Sequence, residues 1–245
     1  MSQDYSQKKH NLLIVHGWAI DPLMKKRWQP LMKLIQDKGY QVKYLQIPGF
    51  EEDLESSWDL DDYADWLKDK LARTKNCVLI GHSFGGQISC RAAASQPKNL
   101  KAMVLIGPAG VIDRGWQKQL KRYIFGSLAN FGKPLPIGKF KNFCQKTLYK
   151  LAREKDYFQA PIVLKKTMAI ILKEEVIKDL PKISVPVLIF WGKKDHYTPH
   201  KHASIFRQGI KDCRLISIPR AGHCPQYTHT DFLVDNIIDF LKYVD

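Results

Sequence analysis

The sequence predicts an α/β fold, a mostly parallel, doubly wound sheet with a helical insertion after its fourth strand. Three observations predict it. Six short apolar runs recur along the chain, and most are followed by an amphipathic stretch at helical spacing; parallel strands need such crossovers, because each must return the chain to the same end of the sheet. The run Cys77-Val78-Leu79-Ile80 passes through Gly81-His82-Ser83-Phe84-Gly85-Gly86 into an Ala-rich segment, a strand, sharp turn and helix in succession. Between Pro108 and Val187 the rhythm breaks into a long segment rich in Phe and Tyr, too long and too aromatic for a structureless loop.

The first strand, Asn11 to Val15, ends in His16-Gly17-Trp18. Asp21 to Lys38 follows as a helix carrying Trp28, Leu31, Met32, Leu34 and Ile35 on its apolar stripe, with Gly39 as a C-terminal cap. The second strand, Gln41 to Ile47, closes at Pro48-Gly49-Phe50 and an acidic loop, Glu51-Glu52-Asp53. Asp59 to Arg73 is a helix with Tyr63, Trp66, Leu67 and Leu71 inward, and Gln87 to Ala94 is the helix after the third strand. Ala102–Pro108, Val187–Gly192 and Arg214–Pro219 are strands four to six. A last helix from about Asp231 to Val244 buries Phe232, Ile237, Ile238, Phe240 and Leu241. The expected division is a core of residues 1–110 and 181–245 and a helical lid of residues 111–180. Such a lid would lie over the C-terminal edge of the sheet, where open α/β sheets bind ligands.

At 245 residues, 44% hydrophobic and 26% charged, the chain has the composition of a soluble globular protein with room for one α/β core. No apolar run reaches membrane-spanning length. The polar stretch Met1 to His10 has no signal-peptide core, which predicts a cytoplasmic protein. Cys77, Cys90, Cys144, Cys213 and Cys224 are odd in number and scattered, as free thiols of a reducing compartment would be. The net charge is +15, and residues 111–180 hold 15 Lys/Arg against 6 Asp/Glu, a surplus of nine. A one-signed rim at a site mouth raises the local concentration of counter-charged ligands, so the partners expected are a small acyl substrate and, by charge, an anionic substrate or an acidic carrier protein. The competing reading is a solvated helical face. No nucleic-acid motif accompanies the charge, and no nucleic-acid partner is expected.

A serine hydroxyl is a weak nucleophile at neutral pH, so it needs a base at hydrogen-bond distance and the base needs an orienter. Ser83 lies in the G-x-S-x-G turn, where Gly81 and Gly85 let strand and helix backbones pass closely. His223, in Ala221-Gly222-His223-Cys224-Pro225 after the sixth strand, is the candidate base. Asp195, in Gly192-Lys193-Lys194-Asp195 after the fifth, is the candidate orienter, and Asp113, after the fourth, competes for that role. His16 and His82 are read as loop-holding residues, and His196, His200, His202 and His229 as surface residues. Cys224 lacks an elbow of its own, no metal-ligand spacing occurs and no glycine-rich phosphate loop is present. No cofactor is expected.

These motifs, His16-Gly17-Trp18, Pro48-Gly49-Phe50, Gly81 to Gly86, Gly192 to Asp195 and Ala221 to His223, resemble those of α/β-hydrolase-fold serine hydrolases with a helical lid, and the likeness covers nearly the whole chain. The resemblance implies an oxyanion hole made by the backbone N–H groups of Trp18 and Phe84. The His-Gly-Trp start is similar to that of esterases acting on pimeloyl-carrier-protein methyl esters, and to lid-bearing carbon–carbon bond hydrolases. It implies cleavage of a carboxylic ester or related acyl compound, with carbon–carbon hydrolysis on the same triad, or a ligand-binding module with poor turnover, as the alternatives.

Overall fold

The computed structural model describes residues 10–112 and 160–244. Six strands form one sheet: β1 (Asn11–Val15), β2 (Gln41–Tyr44), β3 (Cys77–His82), β4 (Leu100–Ile106), β5 (Val187–Gly192) and β6 (Cys213–Ile218). All pair in parallel, in the order β2-β1-β3-β4-β5-β6. The described helices are α1 (Met24–Asp37), α2 (Leu60–Ala72), α3 (Phe84–Ala93), α4 (Ile162–Ile171), α5 (Ala203–Gly209), α6 (Pro225–Thr228) and α7 (Thr230–Val244).

The near-continuous apolar runs of the central strands alternate between two cores, because successive side chains of a strand point to opposite faces. Leu13, Val15, Leu79, Met103, Leu105, Ile189 and Trp191 pack with residues of α2, α3 and α5. Leu12, Ile14, Val78, Ile80, Val104, Leu188 and Phe190 pack with residues of α1 and α7. The sheet is thus covered on both faces, as expected for a doubly wound fold.

Element ends follow local chemistry. Helix α2 starts at a reciprocal capping box: Asp59 accepts from the Asp62 N–H, and the Asp62 side chain accepts from the Asp59 N–H. Strand β2 is shorter than expected, because its ladder with β1 runs only from Gln41 to Tyr44. Helix α3 starts three residues earlier than expected, at Phe84, with Ser83 itself in the N-cap position. Phe232 is 45% exposed rather than buried, so the inward stripe of α7 starts at Leu233.

Within the expected insertion, residues 111–112 and 160–180 are described, and the rest, with Asp113 and Cys144, lies outside the described residues. The returning stretch is fastened to the core. Thr167 Oγ1 accepts from the Trp58 N–H, and Glu174 Oε2 accepts from the Leu60 N–H. Gln87 and Arg91 on α3 donate to the carbonyls of Glu174 and Glu175. The departing and returning strands of chain also meet: the Val176 N–H donates to the Gly110 carbonyl at 2.9 Å, and the Ile112 N–H to Glu175 Oε1 at 3.1 Å.

Sheet order turns the chain in opposite directions on either side of β1, since β2 lies on one flank and β3 on the other. Loops leaving the C-terminal ends of β1 and β3 therefore diverge and leave a crevice between them, where ligands of such sheets bind.

Candidate active site

Ser83 follows β3 at that crevice with φ +52° and ψ −115°. A non-glycine residue at positive φ is strained, and it persists only where the surroundings over-determine it. Here they do: the Ser83 N–H donates to the Ile106 carbonyl, and its own carbonyl accepts from the N–H groups of Gln87 and Ala109. The first turn of α3 presses against the end of β1, and a Cβ on Gly85 would overlap the carbonyl oxygens of Val15 and His16. A Cβ on Gly17 would stand 3.1 Å from the Ser83 Cβ, so the loop after β1 runs directly beside the serine. The Trp18 and Phe84 rings, from those two segments, meet edge-on at 5.2 Å between centroids.

Asp195 and His223 come together from the loops after β5 and β6. His223 Nδ1 donates to Asp195 Oδ2 at 2.8 Å. The Asp195 carboxylate is fully buried, and its other oxygen accepts from the N–H groups of Tyr197 and Thr198 at 2.8 and 3.0 Å. Thr198 Oγ1 lies 2.8 Å from Asp195 Oδ2 and 3.0 Å from the Gly107 carbonyl. Burial alone would raise the Asp195 carboxyl. The hydrogen bond and charge of His223, with the donors of Tyr197 and Thr198, outweigh it and hold the group below the usual carboxylate range. Gly107, at φ +47°, leaves room for the pair, since a Cβ there would lie 3.0 Å from Asp195 Oδ2 and 3.5 Å from His223 Nδ1.

His82, next to Ser83, is buried beneath this pair. Its Nε2 donates to the His223 carbonyl at 3.0 Å, and the two rings lie 4.8 Å apart. Desolvation, helped by the nearby His223, pulls its pKa down to about 3. A neutral His82 therefore holds the His223 backbone rather than moving protons at neutral pH, in keeping with the loop-holding role expected from sequence. His16, also buried, contacts the Gly17 carbonyl and Glu51. Among the histidines expected at the surface, His196 is exposed, His200 and His229 are half-buried, and His202 is buried at 7% exposure. His202 occupies the position just before α5, a short helix that the sequence pattern did not reveal.

Thr198 and Glu51 were missed from sequence. Thr198 lies three residues after Asp195 in a Tyr-Thr-Pro turn, a signal that was available. Glu51 stands in the acidic run Glu51-Glu52-Asp53, whose pattern does not single it out.

A family model described as the alpha/beta hydrolase fold matches residues 11–230. The chain belongs to this family. Among similar proteins, the pimeloyl-[acyl-carrier protein] methyl ester esterase of Legionella pneumophila (strain Corby) is 26% identical over 238 residues, covering 94% of this chain and 95% of that one. Monoacylglycerol lipase ABHD6 of Homo sapiens is 24% identical over 266 residues, covering 96% and 76%. Two solved structures share the fold of this hydrolase-family chain. A bacterial membrane phospholipase A superposes with a TM-score of 0.72 at 22% identity, covering 98% of this chain and 80% of that one. A hydrolase from Oleispira antarctica gives 0.71 at 22% identity, covering 96% and 92%. No described helix is long and apolar enough to cross a membrane, and no group of three or more potential metal ligands occurs among the described residues.

Proposed function

We propose that the chain is a serine hydrolase that cleaves a carboxylic ester, with Ser83 as nucleophile, His223 as base and Asp195 as orienter. The observation that carries this reading is the 2.8 Å bond from His223 Nδ1 to a buried carboxylate, in a site whose serine sits at a strained strand-to-helix turn. An inert glycine-rich turn has no need of either feature. The esterase and lipase names of its relatives support the ester as the bond cleaved, over carbon–carbon hydrolysis or ligand binding without turnover.

With Nδ1 committed to Asp195, His223 Nε2 is the nitrogen that accepts the Ser83 proton as Oγ attacks the carbonyl carbon. Charge passes to the carbonyl oxygen, and the backbone N–H groups of Trp18 and Phe84 stabilise it there. The imidazolium, steadied by Asp195, returns its proton to the leaving alkoxide, which departs as the alcohol. A water, deprotonated by His223, then attacks the acyl-enzyme carbonyl; the bond from the acyl carbon to Ser83 Oγ breaks, His223 returns its proton to Oγ, and the acid is released.

The described part of the insertion expected over residues 111–180 is fastened to the core through Thr167 and Glu174, in keeping with a lid attached beside this site. The surplus of nine positive charges in residues 111–180 suits an acyl group borne by an anionic carrier or ending in an anion. A fluorophosphonate probe tests the core of the reading. It should label Ser83, and Ser83→Ala should abolish labelling and lower ester turnover by about 10⁴ or more. A folded Ser83→Ala protein that labels and turns over like wild type would refute the assignment.

A further inference from the structure

Glu51 stands at the other end of the site, and its side chain is saturated with donors. Tyr44 Oη donates to Oε1 at 2.7 Å, the Ile47 N–H donates to Oε2 at 3.0 Å, and His16 Nε2 lies 3.1 Å from Oε2. Burial alone would raise this carboxyl; the hydrogen bond and charge of His16, then the donors of Tyr44 and Ile47, bring it below the usual carboxylate range. It therefore acts as an acceptor toward His16. The other His16 nitrogen, Nδ1, lies 2.7 Å from the Gly17 carbonyl, which can also only accept. The ring is fully buried, stacked on Tyr44 at 5.2 Å and edge-on to Phe50 at 5.7 Å, so it has no room to turn toward other partners.

The Gly17 carbonyl belongs to the same peptide unit as the Trp18 N–H. The described peptide bonds are all trans, so within that plane the N–H points opposite to the C=O. A donor that fixes the carbonyl on one side fixes the direction of the N–H on the other. A protonated donor also polarises the peptide and strengthens its N–H as a hydrogen-bond donor.

We propose that Glu51 and His16 form a buried carboxylate–imidazolium pair that aims and polarises the Gly17–Trp18 peptide, making both of them positioning residues for the oxyanion. The inference rests on the serine-hydrolase reading above, in which the Trp18 N–H is an oxyanion donor. Glu51 acts through His16 and touches no reacting atom. Its contribution is confined to the charge-bearing transition state, so it affects kcat and leaves ester binding alone.

Two measurements on the full chain test this. In protein carrying isotope-labelled histidine, the His16 ring, assigned by its loss in His16→Gln, should show both nitrogens bearing a proton near neutral pH. A ring with one bare nitrogen overturns the proposal, and this readout needs no Glu51 variant. Second, Glu51→Gln keeps the shape and removes the counter-charge. Its kcat on a short ester should fall about 10- to 100-fold with KM unchanged, short of the roughly 10²–10³ cost of deleting an oxyanion donor outright. Affinity for a boronate that mimics the tetrahedral intermediate should weaken by the same factor. Wild-type kcat in a folded Glu51→Gln protein, or a change confined to KM, overturns the pair's role. Labelling of wild-type Ser83 by a fluorophosphonate separates the two failures: no labelling sinks the serine-hydrolase reading, whereas labelling with an indifferent Glu51→Gln sinks only this one.

Discussion

Replacing Asp195 by Asn gives a sharp test of the orienter, because the structure dictates which way the new amide must face. Asp195 Oδ1 accepts from two backbone N–H groups, those of Tyr197 and Thr198. An amide NH₂ placed there would confront two donors, so the Asn oxygen takes the Oδ1 position and the NH₂ takes the Oδ2 position. That NH₂ then points at His223 Nδ1, 2.8 Å from the present carboxylate oxygen. Nδ1 must become an acceptor, the ring proton moves to Nε2, and the nitrogen that takes the Ser83 proton in the proposed reaction is already occupied. The same change of tautomer in a serine protease lowers kcat about 10⁴-fold, which corresponds to about 5.4 kcal/mol at roughly 1.36 kcal/mol per factor of ten. The fold should survive, because both backbone donors stay paired and Thr198 Oγ1 can turn to the Gly107 carbonyl at 3.0 Å. The assay is kcat/KM on a short ester, with thermal unfolding of the same samples. A folded variant within tenfold of wild type refutes the argument, and a larger loss in Asp113→Asn than in Asp195→Asn would move the orienter to Asp113.

Thr198→Val should lower stability at neutral pH by about 1.5–3 kcal/mol, the usual worth of a hydrogen bond to a charged group, measured by denaturant unfolding. The sign with pH follows from the depressed folded pKa of Asp195: its stabilisation is present above the unfolded value of about 3.9 and is lost as pH falls through the lower folded value. The gap between wild type and Thr198→Val should therefore close below about pH 4, and a constant gap would show that Thr198 does not act through the carboxylate. Gly85→Ala should yield little soluble protein, since its Cβ has no space against the β1 carbonyls; normal expression and wild-type melting would contradict that packing. If the basic insertion steers anionic substrates, kcat/KM for a carboxylated ester should fall steeply from 0.1 to 1 M salt, where screening lengths drop from about 10 Å to about 3 Å, while a neutral short ester responds little. Equal salt profiles would leave the charge as a solubility feature.

The strands and Ser83 were legible because their signals are local. Four apolar residues followed by Gly-His-Ser-Phe-Gly describe both a strand and its turn within one short window. His223 and Asp195 were legible from their place after successive strands, although only the folded chain shows them 2.8 Å apart. Glu51 was hidden for a physical reason: its partner His16 is 35 residues away, and nothing in an acidic loop signals that one carboxylate turns inward to meet Tyr44 and Ile47. Helix α5 escaped because seven residues ending at Gly209 are too few for a periodic stripe to stand out. His202 is buried by tertiary packing that its neighbours His200 and Lys201 do not hint at.

The clasp where Gly110 meets Val176 and Ile112 meets Glu175 separates two kinds of change that a chain of this sort can undergo. The chain leaves the sheet at Gly110–Ile112 and returns to the same place at Glu175–Val176, so the two points that any insertion must join are set beside each other. Lengthening a loop whose ends are already fixed costs only about 0.6 kcal/mol per doubling. Insertions of different length can thus join the same two points at little cost to the fold. Swapping the stretch between Ile112 and Ala160 for that of a relative is therefore the natural way to ask whether that stretch sets the choice of substrate.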